Sequence, residues 1–190
     1  GFAGQRAHDE GGTLITIDPA IARKIRLLVL DVDGVLSTTH LTLGRTGEEI
    51  KQFSIRDGVA IKFAQHAGIE VAFLSARTSE IVDHRARMLG VTEVRQGEHD
   101  KLGWIEKLMR DRKIDLDSVA YIGDDLVDLP PIRAVGLGVA VGDAVPEVLD
   151  AADCITTAHG GHGAIREVVS AILKARGEWE STVQDYIDTH

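Results

Sequence analysis

The stretch that decides the fold is Leu27–Leu36, which reads LLVLDVDGVL. Four apolar residues run directly into Asp31 and Asp33, which are one residue apart, and Gly34 follows. A continuous apolar run of this length is typical of a strand that is buried on both faces, as in a parallel sheet. Burying a carboxylate is costly unless a partner compensates its charge. Two aspartates at the end of the most hydrophobic strand therefore indicate a site that needs negative charge.

Short apolar segments and helical patterns alternate along the rest of the chain, which predicts parallel strands connected by helices. The predicted strands are Ile25–Leu30, Glu70–Leu74, Ser118–Ile122, Leu137–Val141 and Cys154–Thr156. The predicted helices are Val59–Ala67, Ser79–Leu89, Lys101–Arg112, Val145–Ala151 and Ala164–Arg176. We expect an α/β fold, a doubly wound parallel sheet with a β-hairpin inserted at Ser37–Ser54 and no large cap domain.

Length and composition favour a single soluble domain. The chain has 190 residues, of which 44% are apolar and 27% charged, and we expect one domain over 19–177 between a flexible segment, 1–18, and a C-terminal tail, 178–190. The net charge of −9 argues against a nucleic-acid partner. One cysteine excludes an intrachain disulfide, and no apolar run reaches the length of a membrane span. We therefore expect a cytoplasmic protein with no membrane partner.

Polar side chains follow the predicted strands at the edge where ligands of such sheets bind. Ser75 and Arg77 follow the second strand, GDDLVD at 123–128 follows the third, and Lys101 begins the helix before it. Converging carboxylates repel one another unless a cation lies among them, and Mg²⁺ is the hard cation that prefers oxygen ligands. A hydroxyl and a lysine beside that ion would bind phosphate. The sequence thus predicts a magnesium and phosphate site.

Four motifs resemble those of the haloacid dehalogenase-type phosphatases. In chain order they are DVDGV, Ser75, Lys101 and GDDLVD. Further stretches resemble the branch of that family that acts on 3-deoxy-D-manno-octulosonate 8-phosphate: GEEIKQFSIRDG, EVAFLSAR, QGEHDKL, VAYIGDDLVDLP and GGHGAIREV. The likeness covers roughly residues 25–177. It implies a Mg²⁺-dependent phosphatase that releases a free eight-carbon sugar acid and phosphate during lipopolysaccharide precursor synthesis.

The resemblance also implies roles for the residues that form the reacting centre. Asp31 would be the nucleophile that forms an aspartyl-phosphate, and Asp33 the general acid and base. Ser75 and Lys101 would bind the transferring phosphoryl group. Mg²⁺ would be held by Asp31, the backbone carbonyl of Asp33 and Asp124, with Asp125 and Asp128 in support.

Three further residues are expected to contact the substrate. Gly34 would leave room for phosphate where the backbone turns. Arg77 would bind the substrate's carboxylate through a charge-assisted contact, and Arg56 is a second candidate. The stretch STTH at 37–40 departs from the family pattern at the root of the hairpin, which leaves the identity of the sugar open.

Simpler interpretations exist for each motif taken alone. The aspartates after the first strand suit a turn, GDDLVD suits a helix N-cap, and a single lysine is usually solvated. Two other functions also fit the combined pattern. One is a phosphatase of a nine-carbon, sialic-acid-type 9-phosphate, which Arg77 disfavours, and the other is a non-catalytic assembly domain of the same fold, which the complete set of catalytic residues disfavours.

A homotetramer is the expected assembly. No stretch between Asp33 and Asp124 is long enough to form a cap domain, yet a phosphorylated intermediate needs shielding from water. The hairpin and the glycine-rich segment His159–Glu167 are the candidates for this role. In the family that the sequence resembles, hairpins associate around a four-fold axis and a neighbour's tail reaches into the site.

Overall fold

A six-stranded parallel sheet forms the centre of the computed structural model, which describes residues 15–189. The strands are β1 (Leu27–Leu30), β2 (Thr42–Leu43), β3 (Glu49–Ile50), β4 (Glu70–Leu74), β5 (Glu93–Arg95), β6 (Val119–Gly123), β7 (Leu137–Ala140) and β8 (Cys154–Ile155). The sheet order is β5-β4-β1-β6-β7-β8, and β2 pairs with β3 as a separate antiparallel hairpin. This confirms the predicted doubly wound parallel sheet with an inserted hairpin.

Eight α-helices connect and cover the strands in the described part of the chain. They are α1 (Pro19–Ala22), α2 (Ile55–His66), α3 (Glu80–Leu89), α4 (Lys101–Arg112), α5 (Leu129–Ala134), α6 (Pro146–Ala151), α7 (Ala164–Arg176) and α8 (Trp179–Thr189). Helix α7 contacts α1, α2 and α8, while α5 contacts α4 and α6. The helices thus form two packing groups, as a doubly wound sheet requires. None of these helices is long and apolar enough to cross a membrane.

Strand β1 lies in the interior of the sheet, and all of its side chains are buried. It pairs in parallel with β4 and β6, so that Leu30 is level with Phe73 and Ile122. The three strands therefore end at the same edge of the sheet. Residues that follow β1, β4 and β6 meet there, which is the basis of the site.

The structure differs from the sequence prediction at several elements. Strand β5 was not predicted, because EVR is short and partly polar. Helix α5 was not predicted because Pro130 and Pro131 are usually read as helix breakers. Here they lie in the first turn of the helix, where proline is tolerated. Helix α2 begins at Ile55 rather than Val59, since the Ser54 hydroxyl accepts the Asp57 N–H and caps it.

The structure also describes packed residues at both ends of the predicted domain. The segment expected as a C-terminal tail forms α8, whose Trp179 and Tyr186 pack edge-on against Phe63 of α2. Most of the segment predicted to be flexible, 1–18, lies outside the described residues. Within the described part, Ile17 is buried in the core, and the domain bounds of 19–177 stay a prediction.

The glycine-rich segment His159–Glu167 packs against its own chain. The Gly161 N–H donates to the Val35 carbonyl over 2.8 Å, and the Gly160 N–H donates to Asp143 Oδ1 over 2.9 Å. Buried Asp57 accepts the backbone N–H groups of Gly163 and Arg166, which begin α7. These hydrogen bonds hold the backbone of the segment beside the loop after β1, and its contact with a neighbouring subunit stays a prediction.

Candidate active site

Three aspartates converge where β1 and β6 end. Asp31 follows Leu30 directly, and its backbone N–H continues the ladder by donating to the Ile122 carbonyl. Asp124 and Asp128 follow β6. One carboxylate oxygen from each of the three lies within 4.8 Å of the others. The predicted convergence of Asp31 with the GDDLVD aspartates is present in the structure.

Lys101 is the cation of this cluster. It begins α4, its side chain is buried, and its Nζ lies 2.6 Å from Asp31 Oδ1 and 2.6 Å from Asp128 Oδ1. Burial by itself lowers the pKa of Lys101, but the two carboxylates outweigh it and raise that pKa above its ordinary value. Lys101 is therefore a charged contact of the Asp31 and Asp128 carboxylates.

Asp128 organises the cluster with both of its oxygens already occupied. Oδ1 accepts from Lys101 and from the Tyr121 hydroxyl at 2.6 Å, and Oδ2 accepts the N–H groups of Asp124 and Asp125 at 2.9 and 3.2 Å. Four donors satisfy this carboxylate. Asp128 thus holds the loop after β6 in place rather than offering an unused oxygen.

Asp124 is the opposite case. Its Oδ1 is buried and has no hydrogen-bond partner, an arrangement that native structures avoid unless something else satisfies the atom. A divalent cation is the natural partner, because Asp31 supplies a second carboxylate oxygen nearby. The donor set therefore fits Mg²⁺, and it does so at the residues that the sequence singled out.

The carboxyl groups of this cluster are strongly perturbed. Burial raises the pKa of Asp31 to about 7, although Lys101 counteracts the effect. Burial and the neighbouring Asp31 and Asp128 raise the pKa of Asp124 to about 8. A cation bound between Asp31 and Asp124 would stabilise their ionised forms and lower both pKa values.

Gly34 gives the loop after β1 its shape. Its φ is +99°, and a Cβ at this position would collide with the Asp124 carboxylate. Only glycine combines that backbone conformation with so close an approach. The backbone turn predicted at Gly34 is present, and the room that it would leave for phosphate stays a prediction.

Asp33 lies apart from the three-aspartate cluster and is bound by a different cation. Lys51, which follows β3, forms an ion pair with Asp33 Oδ1 and another with Glu49 Oε1 at 3.1 Å. Glu49 Oε1 also accepts from Arg77 Nη2 at 3.1 Å. Asp33 and Arg77, two predicted site residues, are therefore connected through Glu49 and Lys51.

The remaining predicted residues are placed as follows. Ser75 is buried after β4, and its Oγ accepts the Arg77 N–H at 3.1 Å. Arg56 is exposed on the first turn of α2, and its role in substrate binding stays a prediction. Asp125 caps the turn after β6 through a hydrogen bond from the Leu126 N–H at 2.7 Å.

Sequence reasoning missed Glu49 and Lys51. Both lie in the stretch GEEIKQF, which belongs to the predicted hairpin and contributes to the family resemblance, but neither residue was given a role. Residues two apart on a strand project to the same face, so the alternation of Glu49 and Lys51 was the available signal. It was not used because the hairpin was treated as a cover for the site rather than as a source of side chains.

Comparison with known proteins first defines the class. The family described as haloacid dehalogenase-like hydrolase matches residues 88–168, the part of the chain that contains Lys101, Asp124 and Asp128. The parallel sheet and its clustered aspartates agree with this class.

More specific similarity comes from curated relatives and solved structures. The 3-deoxy-D-manno-octulosonate 8-phosphate phosphatase KdsC of Escherichia coli strain K12 is 45% identical over 84% of this chain and 85% of its own. The corresponding enzyme of Yersinia pestis has a structure with a TM-score of 0.83 and 42% identity, covering 85% of this chain and 88% of that one.

A third relative was solved with ligands. The phosphatase of Moraxella catarrhalis, described in complex with a magnesium ion, a phosphate ion and a KDO molecule, has a TM-score of 0.86 and 37% identity and covers 88% of this chain and 97% of that one. The chain therefore belongs to the family of 3-deoxy-D-manno-octulosonate 8-phosphate phosphatases within the haloacid dehalogenase-like hydrolases.

Proposed function

We propose that the protein is a Mg²⁺-dependent phosphatase that hydrolyses 3-deoxy-D-manno-octulosonate 8-phosphate to the free sugar acid and phosphate. The observation that carries this proposal is the buried contact of Lys101 with Asp31 beside the unpartnered Oδ1 of Asp124. It unites a nucleophile, a fixed positive charge and an unpartnered carboxylate oxygen where β1 and β6 end. Relatives at 45% identity carry the name of this activity.

The reaction divides into two displacements at phosphorus. In the first, a carboxylate oxygen of Asp31 bonds to phosphorus while the bond to the sugar oxygen breaks, and the Asp33 carboxyl gives its proton to that oxygen. In the second, Asp33 takes a proton from water as the water oxygen bonds to phosphorus, which releases phosphate and restores Asp31. Lys101 and the Ser75 hydroxyl contact the phosphoryl oxygens.

Mg²⁺ would be held by Asp31, the backbone carbonyl of Asp33 and Asp124. When bound, it neutralises negative charge on the phosphoryl oxygens and on the carboxylates that surround them. Asp128 supports this arrangement by fixing the backbone of Asp124 and Asp125. The magnesium and phosphate ions named for the Moraxella catarrhalis relative support the assignment.

Arg77 is the proposed contact for the sugar acid's carboxylate. Its side chain is 49% exposed and already binds one carboxylate, that of Glu49. The KDO molecule in the Moraxella catarrhalis relative supports an eight-carbon sugar acid. A phosphorylated sugar acid carries negative charge and does not cross a membrane unaided. The enzyme must therefore be in the compartment where this substrate is made, which we propose to be the cytoplasm.

We also propose that the working unit is a homotetramer formed through the hairpins. Leu41, Leu43 and Ile50 on or beside β2 and β3 are large apolar side chains with 44%, 61% and 52% exposure. A two-stranded hairpin is marginal by itself and needs packing on an apolar face. A second copy of the same hairpin supplies such a face with matching chemistry.

The substrate proposal is tested with a panel of phosphorylated sugar acids assayed with Mg²⁺ and with excess EDTA. We expect the eight-carbon 8-phosphate to give the highest kcat/KM, EDTA to stop turnover, and Mg²⁺ to restore it. A nine-carbon 9-phosphate hydrolysed with higher kcat/KM would overturn the substrate, and full turnover in EDTA would overturn the metal.

A further inference from the structure

A chain of four alternating charges connects the expected substrate contact to the expected proton donor. It runs from Arg77 to Glu49, from Glu49 to Lys51 and from Lys51 to Asp33, with 3.1 Å in each of the first two contacts. The chain contains two cations and two carboxylates, so it is neutral as a whole. Glu49 and Lys51 come from the hairpin, whereas Asp33 comes from the loop after β1 and Arg77 from the loop after β4.

The Lys51 side chain is more deeply buried than the side chains of its two ion-pair partners, Glu49 and Asp33. Its side chain is 3% exposed, against 17% for Glu49 and 27% for Asp33. Burying an ammonium group to this extent is costly unless carboxylates compensate its charge. Its two ion-pair partners, Asp33 and Glu49, are such carboxylates, and both contacts are made in the site.

Glu49 is shared between the two cations. A single oxygen, Oε1, faces both Lys51 Nζ and Arg77 Nη2. Burial alone would raise the pKa of Glu49, but hydrogen bonds from Ser79 and Lys51 and the charge of Arg77 lower it below its ordinary value. Glu49 is therefore an anion that occupies Arg77 as a substrate carboxylate would.

We propose that Lys51 is a positioning residue that holds the Asp33 carboxyl for proton transfer, and that Glu49 couples this position to occupancy of Arg77. When a sugar acid's carboxylate binds Arg77, Glu49 is released from Arg77 and its charge fixes Lys51 more firmly. Lys51 then holds the Asp33 carboxyl so that it faces the leaving oxygen. The inference rests on the proposed function and adds to it a reason for the substrate's carboxylate to raise kcat as well as to lower KM.

The test separates proton delivery from the rest of catalysis by the choice of leaving group. An alkoxide leaves only with a proton, whereas p-nitrophenolate leaves without one. In single turnovers with Mg²⁺, we expect Lys51→Met to slow release of the sugar acid from its 8-phosphate by about ten-fold or more, and release of p-nitrophenolate by less than about three-fold. KM for the sugar acid phosphate should change little.

Two variants control for a merely structural effect. Lys51→Arg keeps the charge and should recover part of the sugar acid rate. Lys62→Met removes an exposed lysine of α2 and should match the wild type on both substrates. Equal losses on both substrates with Lys51→Met, or no loss on either, would overturn the positioning role.

The coupling through Glu49 is tested with Arg77→Met, alone and combined with Lys51→Met. Residues that act through one network lose less together than the product of their separate losses. We expect that pattern in kcat/KM for the sugar acid phosphate. Losses that multiply would overturn the coupling.

Failure of the proposed substrate would be distinguishable from failure of this inference. If the wild type does not hydrolyse the sugar acid phosphate, the proposed function is wrong. Phenyl phosphate and p-nitrophenyl phosphate, which differ in their need for a proton, then replace the substrate pair. A larger loss on phenyl phosphate with Lys51→Met would still support the role of Lys51, and equal losses would overturn it.

Discussion

Asp124 and Asp128 are four residues apart and have opposite parts in the same cluster. Asp128 accepts four hydrogen bonds and fixes the loop, whereas Asp124 keeps a buried oxygen without a partner. The difference arises from the turn Leu126–Asp128, which brings the Asp128 carboxylate back onto the N–H groups of Asp124 and Asp125. One aspartate thus builds the site, and the other remains available to a cation.

The raised pKa values of Asp31 and Asp124 predict how stability varies with pH. Because their pKa values are about 7 and about 8, the metal-free folded protein retains protons that the unfolded chain releases from about pH 4 upward. These groups therefore stabilise the fold at low pH, and that contribution is lost as pH rises to about 8. We expect the free energy of unfolding of the metal-free protein, measured by urea denaturation, to fall as the pH rises from about 4 to about 8.

Added Mg²⁺ should reverse the trend, because a cation favours the ionised carboxylates and releases their protons. The gain in unfolding free energy should be larger at pH 8 than at pH 5.5. Asp124→Asn removes one of the titrating groups and should show both a shallower pH dependence and a smaller Mg²⁺ effect. An Asp124→Asn variant with the wild-type pH dependence and Mg²⁺ response would contradict the assignment.

At the scale of elements, the loop after β1 is held from two sides. The hairpin contributes Lys51 to Asp33, and the glycine-rich segment contributes the Gly161 N–H to the Val35 carbonyl. Buried Asp57 anchors that segment to the start of α2. The loop that carries Asp33 therefore depends on elements distant in sequence.

Gly161→Ala tests the second of these supports. Gly161 has a φ of +70°, and a Cβ there would lie 2.6 Å from the Thr38 nitrogen. Gly90 has the same φ of +70° with no atom within 4 Å, so Gly90→Ala is a matched control that adds only backbone strain, about 1–2 kcal/mol. We expect Gly161→Ala to lower the unfolding free energy further and also to lower kcat/KM, and Gly90→Ala to leave kcat/KM unchanged. Equal effects from both variants would contradict the bracing role.

The sequence predicted those parts of the site that lie at strand ends. Asp31, Ser75 and Asp124 follow apolar runs, and parallel strands bring such ends together. Lys101 was singled out because it begins the helix before β6, and its role was implied by the family resemblance.

The parts that were missed depend on contacts that no local pattern encodes. Glu49 and Lys51 reach the site only because the hairpin folds back toward Asp33. The anchoring of the glycine-rich segment depends on Asp57, 106 residues away from Gly163. The saturation of Asp128 likewise depends on where the loop after β6 turns.

For the whole molecule, the exposed apolar face of the hairpin predicts the assembly. Leu43 is 61% exposed, so Leu43→Asp should leave the fold intact by circular dichroism while introducing charges that repel across a shared interface. We expect sedimentation to show a tetramer for the wild type and smaller species for the variant. Ile187→Asp is the matched control, since Ile187 is 62% exposed on α8, and it should stay tetrameric. A fully active wild-type monomer at assay concentration would contradict the assembly.

The measurement that tests the account most directly is phosphate release from 3-deoxy-D-manno-octulosonate 8-phosphate with Mg²⁺, for the wild type and for Asp31→Asn. An amide is a poor nucleophile and a poor ligand for a hard cation. We expect turnover by the wild type and, for a variant that is still folded by circular dichroism, a rate lower by at least about a thousand-fold. An Asp31→Asn protein that retains a substantial fraction of the wild-type rate would contradict it.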